Sequence, residues 1–188
     1  MKTMLNHIKP LTAYEYLDNL TIEIKNKKSL ELRYGDKICL VNYDNLISSI
    51  INKGLLPKKN EGLESPNVVV ITSNNKFDFY DCISIAKKKY GMNINKVLDH
   101  VLVSRVFTIY QLAQKIIYEL SELLEKFKSK LLVIISDLFL SELHQQVYDK
   151  EEKDWLYGQM IKAIKGITNA IVVIFSSTAL SNFSNYTK

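Results

Sequence analysis

The sequence predicts a doubly wound α/β domain. Three observations carry that expectation: five short runs apolar on both faces, amphipathic helical stretches between them, and a length of 188 residues, which fits one large α/β unit. The runs are 37–42 (KICLVN), 67–72 (NVVVIT), 100–103 (HVLV), 131–136 (LLVIIS) and 170–176 (AIVVIFS). A strand with apolar residues at every position has no solvent face, which suits a parallel sheet covered on both sides by helices.

The helical stretches follow in order. Leu46, Ile47, Ile50 and Ile51 form a first apolar stripe. Phe77, Tyr80, Ile83, Ile85 and Ala86 form a second, closed by Lys87, Lys88 and Lys89 and then Gly91, a helix stop. The longest stripe runs Ile109, Leu112, Ile116, Leu120, Leu123, Leu124 and Phe127; the last runs Trp155, Leu156, Met160, Ile161, Ile164 and Ile167. Residues 1–34 stand apart as an N-terminal segment, with a short helix over 12–19 and polar strands over 21–25 and 29–34. The core is expected over 35–180, with a proline-bearing loop at 57–66 and a frayed tail over 181–188. Asp137 reads as the N-cap of a helix over 138–147.

Apolar residues make up 47% and charged residues 24%, the balance of a folded globular chain. No apolar run approaches the roughly 20 residues of a membrane span, and residues 1–11 hold no signal-peptide core. Cys39 and Cys82 lack metal or redox spacing and read as small buried hydrophobes, so an intracellular, reduced protein without membrane partners is expected. His7, His100 and His144 belong to no motif. Net charge is +5, from 23 lysines and only Arg33 and Arg105, with the basic excess in the first third: ten basic against six acidic residues over 1–60. Lysine clusters at Lys25, Lys27 and Lys28, at Lys58 and Lys59, and at Lys87, Lys88 and Lys89, with Tyr34, Tyr43 and Tyr90 near them, form a candidate phosphate-binding face; a merely solvated face is the alternative.

In a parallel sheet the ligand site lies at the carboxyl ends of the strands. After the first core strand comes YDNLISS, where a phosphate-binding loop would need glycines followed by Lys and Ser or Thr. None of the six glycines precedes a lysine, and no G-x-G occurs. The second strand ends in Ser73, Asn74 and Asn75, and the last in Ser176, Ser177 and Thr178, without the glycine-flanked elbow of a serine hydrolase. No catalytic, cofactor-binding or metal residues are therefore assigned.

At 97–107, VLDHVLVSRVF resembles the strand-exchange recombinases of the RadA and RecA type, whose pattern there is V-L-[DE]-N-V-x-x-[AS]-R-[AV]-[FY]. The stretch FDFYDCISIAKKKYGMN before it resembles the family's helix ending E-R-Y-G. LLPKKNEGLESPNVVVIT resembles the linker and strand before the catalytic glutamate. The helix at 109–127, LLVIIS and NAIVVIFSS fall in family order, so the similarity covers 35–178. It implies a RecA-like core, mostly parallel and shortened at its C-terminal end. The departures are specific: the Walker A loop is missing, Asn74 stands at the catalytic glutamate, Ile135 at the Walker B aspartate with Asp137 two residues later, and Ser177 at the γ-phosphate-sensing glutamine. The family's first DNA-binding loop corresponds to 145–154, whose net negative charge fits a helix start at least as well. Arg105 matches a family arginine and is a candidate DNA contact or a structural tie.

The resemblance implies a non-catalytic recombination and DNA-repair accessory protein, a recombinase paralogue or pseudo-ATPase without cofactor. Its partner would be a RadA-type recombinase or sister paralogue, in a homo- or hetero-oligomer, and DNA is a further candidate partner. A DNA-binding module acting through the lysines and a regulator of the clock-protein-like RecA branch are the alternatives. Recombinase subunits join through a hydrophobic-plus-alanine hook that pairs with a neighbour's sheet edge. The corresponding residues here are Leu11, Ala13, Tyr14 and Tyr16, which fit a short helix packed on its own core equally well.

Overall fold

The computed structural model describes residues 19–24, 28–63, 66–73, 77–127, 131–138, 149–181 and 183–187. Two strands, β1 (Leu20–Ile24) and β2 (Lys28–Leu32), pair antiparallel as a separate ribbon. Then come β3 (Lys37–Val41), α1 (Ile47–Gly54), β4 (Asn67–Thr72), α2 (Phe79–Tyr90), α3 (Ile94–His100) and β5 (Val101–Arg105). A long helix follows as α4 (Ile109–Gln114), a π turn (Lys115–Glu119) and α5 (Leu120–Phe127). The chain continues through β6 (Leu131–Ser136), α6 (Lys150–Gly166), β7 (Ala170–Ser176) and β8 (Ser184–Thr187). Six strands form one all-parallel sheet in the order β5-β4-β6-β7-β3-β8, flanked by helices. The architecture is consistent with a RecA-like α/β core.

Strand alternation sends successive side chains to opposite faces. Ile38 and Leu40, Val68 and Val70, Leu132 and Ile134, and Ile171, Val173 and Phe175 enter one core, closed by α1, α2, α3 and the β1–β2 ribbon. Cys39 and Val41, Val69 and Ile71, Leu131, Val133 and Ile135, and Ala170, Val172 and Ile174 enter the other, closed by α4, α5 and α6. The ribbon's strands look polar in sequence, yet Leu20, Ile22 and Leu32 are buried in the first core with β3 and α1.

The helices start and stop for local reasons. Asp78 accepts from the Tyr80 N–H at 2.8 Å, Asn93 from Asn95 at 3.0 Å, Thr108 from Gln111 at 3.1 Å and Asp149 from Glu151 at 2.9 Å. Gly91 ends α2 in the left-handed conformation, φ 58°, as expected. Buried Asn52 ties α1 to α2, its amide donating to the Ser48 carbonyl at 2.9 Å and the Cys82 carbonyl at 2.8 Å.

Several sequence expectations need correction. The 181–188 tail is not frayed throughout: β8 lies along the outer side of β3, and Asn185 clamps its approach by bonding the Leu180 N–H at 2.8 Å and carbonyl at 2.7 Å. Its polar, four-residue sequence carries no strand pattern, and pairing with the open side of β3 supplies the missing backbone partners. The third core strand runs Val101–Arg105, because His100 ends α3, a helix the apolar pattern does not announce. Of the two readings of 145–154, the helix start holds for 150–154, which form the acidic first turns of α6. Trp155 is exposed on α6 and does not join its buried stripe. Most of the expected helices at 12–19 and 138–147, together with Asn74, His7 and His144, lie outside the described residues. Among the described residues no helix is long and apolar enough to cross a membrane.

The 57–66 loop tests the packing. A Cβ at Gly62 would stand 2.2 Å from the Leu56 carbonyl oxygen and 2.6 Å from its carbon, both backbone atoms. Gly62→Ala is expected to cost about 2 to 3 kcal/mol, read as a lowered urea midpoint with an unchanged slope. A wild-type midpoint would show that the loop moves aside freely.

Candidate functional sites

The carboxyl edge of the sheet, where sequence reasoning looks for a ligand, is tied to itself. The Asn42 N–H donates to the Ser176 carbonyl and the Asp137 N–H to the Phe175 carbonyl, both at 2.9 Å. The Ser73 hydroxyl reaches the Ser136 and Asp137 carbonyls at 3.2 and 3.0 Å. Ser136 donates to the Asp137 carboxylate at 3.4 Å. The Thr178 N–H donates to Ser176 Oγ at 3.2 Å, the plain strand-end turn expected there. Asn42 and Asp137 both adopt positive φ, 63° and 56°, the region Asn and Asp tolerate better than other side chains. Between β3 and α1 there is only a tight connection, Asn42, the buried ring of Tyr43 and a single 3₁₀ turn over Asp44–Leu46. Ile135, at the Walker B position of the resemblance, is wholly buried in the second core. Among the described residues no three His, Cys, Asp or Glu side chains gather as a metal site.

The two cysteines are core residues. Burial pushes the Cys82 thiol from the ordinary 9.0 to about 12, against a smaller lowering by Asn52. Burial also pushes Cys39 to about 11, against a backbone hydrogen bond at Leu180.

The candidate phosphate-binding lysines do not converge with Arg105. A helix after a parallel strand runs back towards the strand starts. Lys58 and Lys59, after α1, and Lys87, Lys88 and Lys89, in the last turn of α2, therefore lie towards the amino edge of the sheet, whereas Arg105 ends β5 at the carboxyl edge. Lys53, Lys89 and Tyr90 line a groove of about 320 Å³ beside β1, with Glu23 opposite. Tyr43 is buried and unavailable for stacking, while Tyr90 has the Lys89 ammonium 5.3 Å from its ring centroid. Lys25 and Lys27, the side chain of Lys28, and the hook residues Leu11, Ala13, Tyr14 and Tyr16 lie outside the described residues.

A candidate site that the local sequence pattern did not locate is the β5 side of the sheet. Among the described residues β5 pairs with β4 alone, leaving its outer backbone groups open. Leu102 and Ser104 share the face of Val69 and Ile71, and there a pocket of about 200 Å³ lies between β5 and the long helix, lined also by Leu120 and Leu123. The π turn forms its rim, with the Lys115 ammonium paired to the Glu119 carboxylate. Within the long helix, i→i+5 turns of this kind concentrate at functional positions. Exposed apolar side chains surround the strand: Leu98 (53% exposed), Leu102 (43%), Val103 (40%) and Phe107 (69%). A readable signal existed, since HVLVSRVF continues apolar past the strand, but strand position in the sheet is not written in local pattern.

No protein-family model and no curated protein matches this chain.

The raised thiol values give a direct check. The neutral thiol is the favoured form in the folded core, so the Cys82 contribution to stability is full below pH 9 and is lost as pH climbs towards 12. At pH 8 neither Cys39 nor Cys82 should react with a thiol reagent until denaturant is added, when both should label. Labelling of the folded protein at the rate of a free thiol would contradict this burial.

Proposed function

We propose that the chain is a non-catalytic accessory protein on a RecA-like core, which recruits a RadA-type recombinase or sister paralogue by taking an extended apolar segment of that partner along β5. The observation that carries this reading is a parallel-sheet edge with no further strand among the described residues, beside a largely apolar pocket of about 200 Å³. An open edge offers unpaired N–H and C=O groups to an added strand, and a pocket on one face gives that strand a side-chain anchor. The hydrophobic-plus-alanine hook of the resemblance has that chemistry: a large anchor for the pocket and a small residue where the chains run close.

The strand ends support the non-catalytic half of the reading. A phosphate cradle needs a run of backbone N–H groups held open between strand and helix. The connection from β3 to α1 is instead short and plugged by buried Tyr43.

A short extended peptide with a large hydrophobic anchor and an alanine should bind with a Kd on the order of micromolar. Leu102→Glu, which puts a carboxylate on the pocket, should weaken it at least about tenfold while leaving the circular dichroism spectrum unchanged. Equal binding by the two proteins would remove the β5 site.

With Mg²⁺ present, ATP should show neither turnover in a phosphate-release assay nor binding tighter than millimolar. Micromolar binding with turnover lost in Asp137→Ala would make the protein an enzyme and end this reading.

A further inference from the structure

Four of the eight exposed large apolar or aromatic side chains among the described residues, Leu98, Leu102, Val103 and Phe107, fall within ten residues around one edge strand. Sheet edges facing solvent are ordinarily guarded by lysine, proline or a bulge. Over Val101–Arg105 there is no proline and no lysine, and the single cation stands at the last position. The opposite edge differs: β8 reads Ser184, Asn185, Tyr186, Thr187.

The charges at the two ends of β5 are opposite. Arg105 closes the strand and Asp99 stands two residues before its start, both exposed. Among the described residues neither side chain has an ion-pair or hydrogen-bond partner. A two-fold contact uses one surface twice, so it requires that surface to complement its own reversed image. β5 does: reversed about Val103, Val101 meets Arg105, Leu102 meets Ser104, and Val103 meets itself. The antiparallel arrangement brings Arg105 of each copy to the start of the other's strand, on the side of Asp99; a parallel one would set arginine beside arginine.

We propose that β5 pairs with β5 of a second copy of this chain, antiparallel about a two-fold axis at Val103, joining two six-stranded sheets into one. Resting on the reading of β5 as the recruiting edge, this makes self-association its regulation: a second copy and a partner's hook compete for the same backbone groups.

Sedimentation velocity across a concentration series tests this on the full chain. The wild type should shift from monomer to dimer, and excess hook peptide should return it to monomer. Val103→Lys, at a half-exposed position, should remain monomeric with an unchanged melting temperature. Arg105→Asp and Asp99→Arg should each weaken the dimer about tenfold, because a two-fold interface carries the pair twice, and the double swap should restore it. A wild type that stays monomeric at every concentration yet binds the peptide would overturn self-pairing and leave the recruiting edge standing. A dimer that responds to the charge swap but ignores the peptide would uphold self-pairing and overturn the recruiting role. A dimer untouched by Val103→Lys would place the contact elsewhere and end the proposal.

Discussion

The rest of the molecule depends on the burial of three adjacent strands on both faces. Every residue of β6 and β7 is buried, as are all but the first of β4. Because alternate side chains point to opposite faces, each of these strands feeds two cores at once, and both must be covered before either is stable. That requirement sets the two helical layers, and it explains why the β1–β2 ribbon is part of the fold: Leu20, Ile22 and Leu32 roof the part of the first core over β3 and α1. A fully apolar strand also leaves polar chemistry nowhere to stand except at its ends and at the outer strands.

Among the described residues, several polar groups at the strand ends are spent on one another. Ser73, Ser136 and Asp137 join β4 to β6, and the amides of Asn42 and Asp137 join β3 and β6 to the last turns of β7. Such ties satisfy buried donors and acceptors that would otherwise cost a few kcal/mol each. They also fix the two left-handed residues, Asn42 and Asp137, whose backbone geometry aligns their amides with β7. Among the described residues, these strand ends are therefore part of the framework.

How much of this was legible follows from what local sequence encodes. The strands of both-faced burial read clearly, since KICLV, NVVVIT, LLVIIS and AIVVIFS are short and rich in Val and Ile, and the Lys87–Lys89 run before Gly91 marked the end of α2 to the residue. The cysteines were legible as core residues for the same reason. What failed were elements whose stability comes from neighbours: β8, held by β3 and the Asn185 clamp; α3, set by its Asn93 cap; and the π turn, which leaves the apolar stripe unbroken. Trp155 misled because hydrophobic periodicity cannot tell which side of a stripe faces the sheet. The β5 edge failed for a topological reason. VLVSR looks like its buried sisters until the strand order puts nothing beyond it.

That order relocates the question of function. A parallel sheet can present chemistry at its carboxyl ends or backbone at its edges, and these draw on different resources. End chemistry needs unoccupied polar groups, while edge recognition needs unpaired amides with apolar side chains to orient what pairs with them. Among the described residues the ends of β3, β4, β6 and β7 are bonded to one another, and one edge carries a short polar strand. The remaining edge combines open backbone, a pocket between Leu102 and the long helix, and a rim where the π turn turns Lys115 and Glu119 together. An interior packed this fully yields little to a mutation's benefit or a ligand's approach. What the described residues leave unspent therefore lies where the sheet stops, and the proposed contact between proteins along β5 draws on those open amides and that pocket.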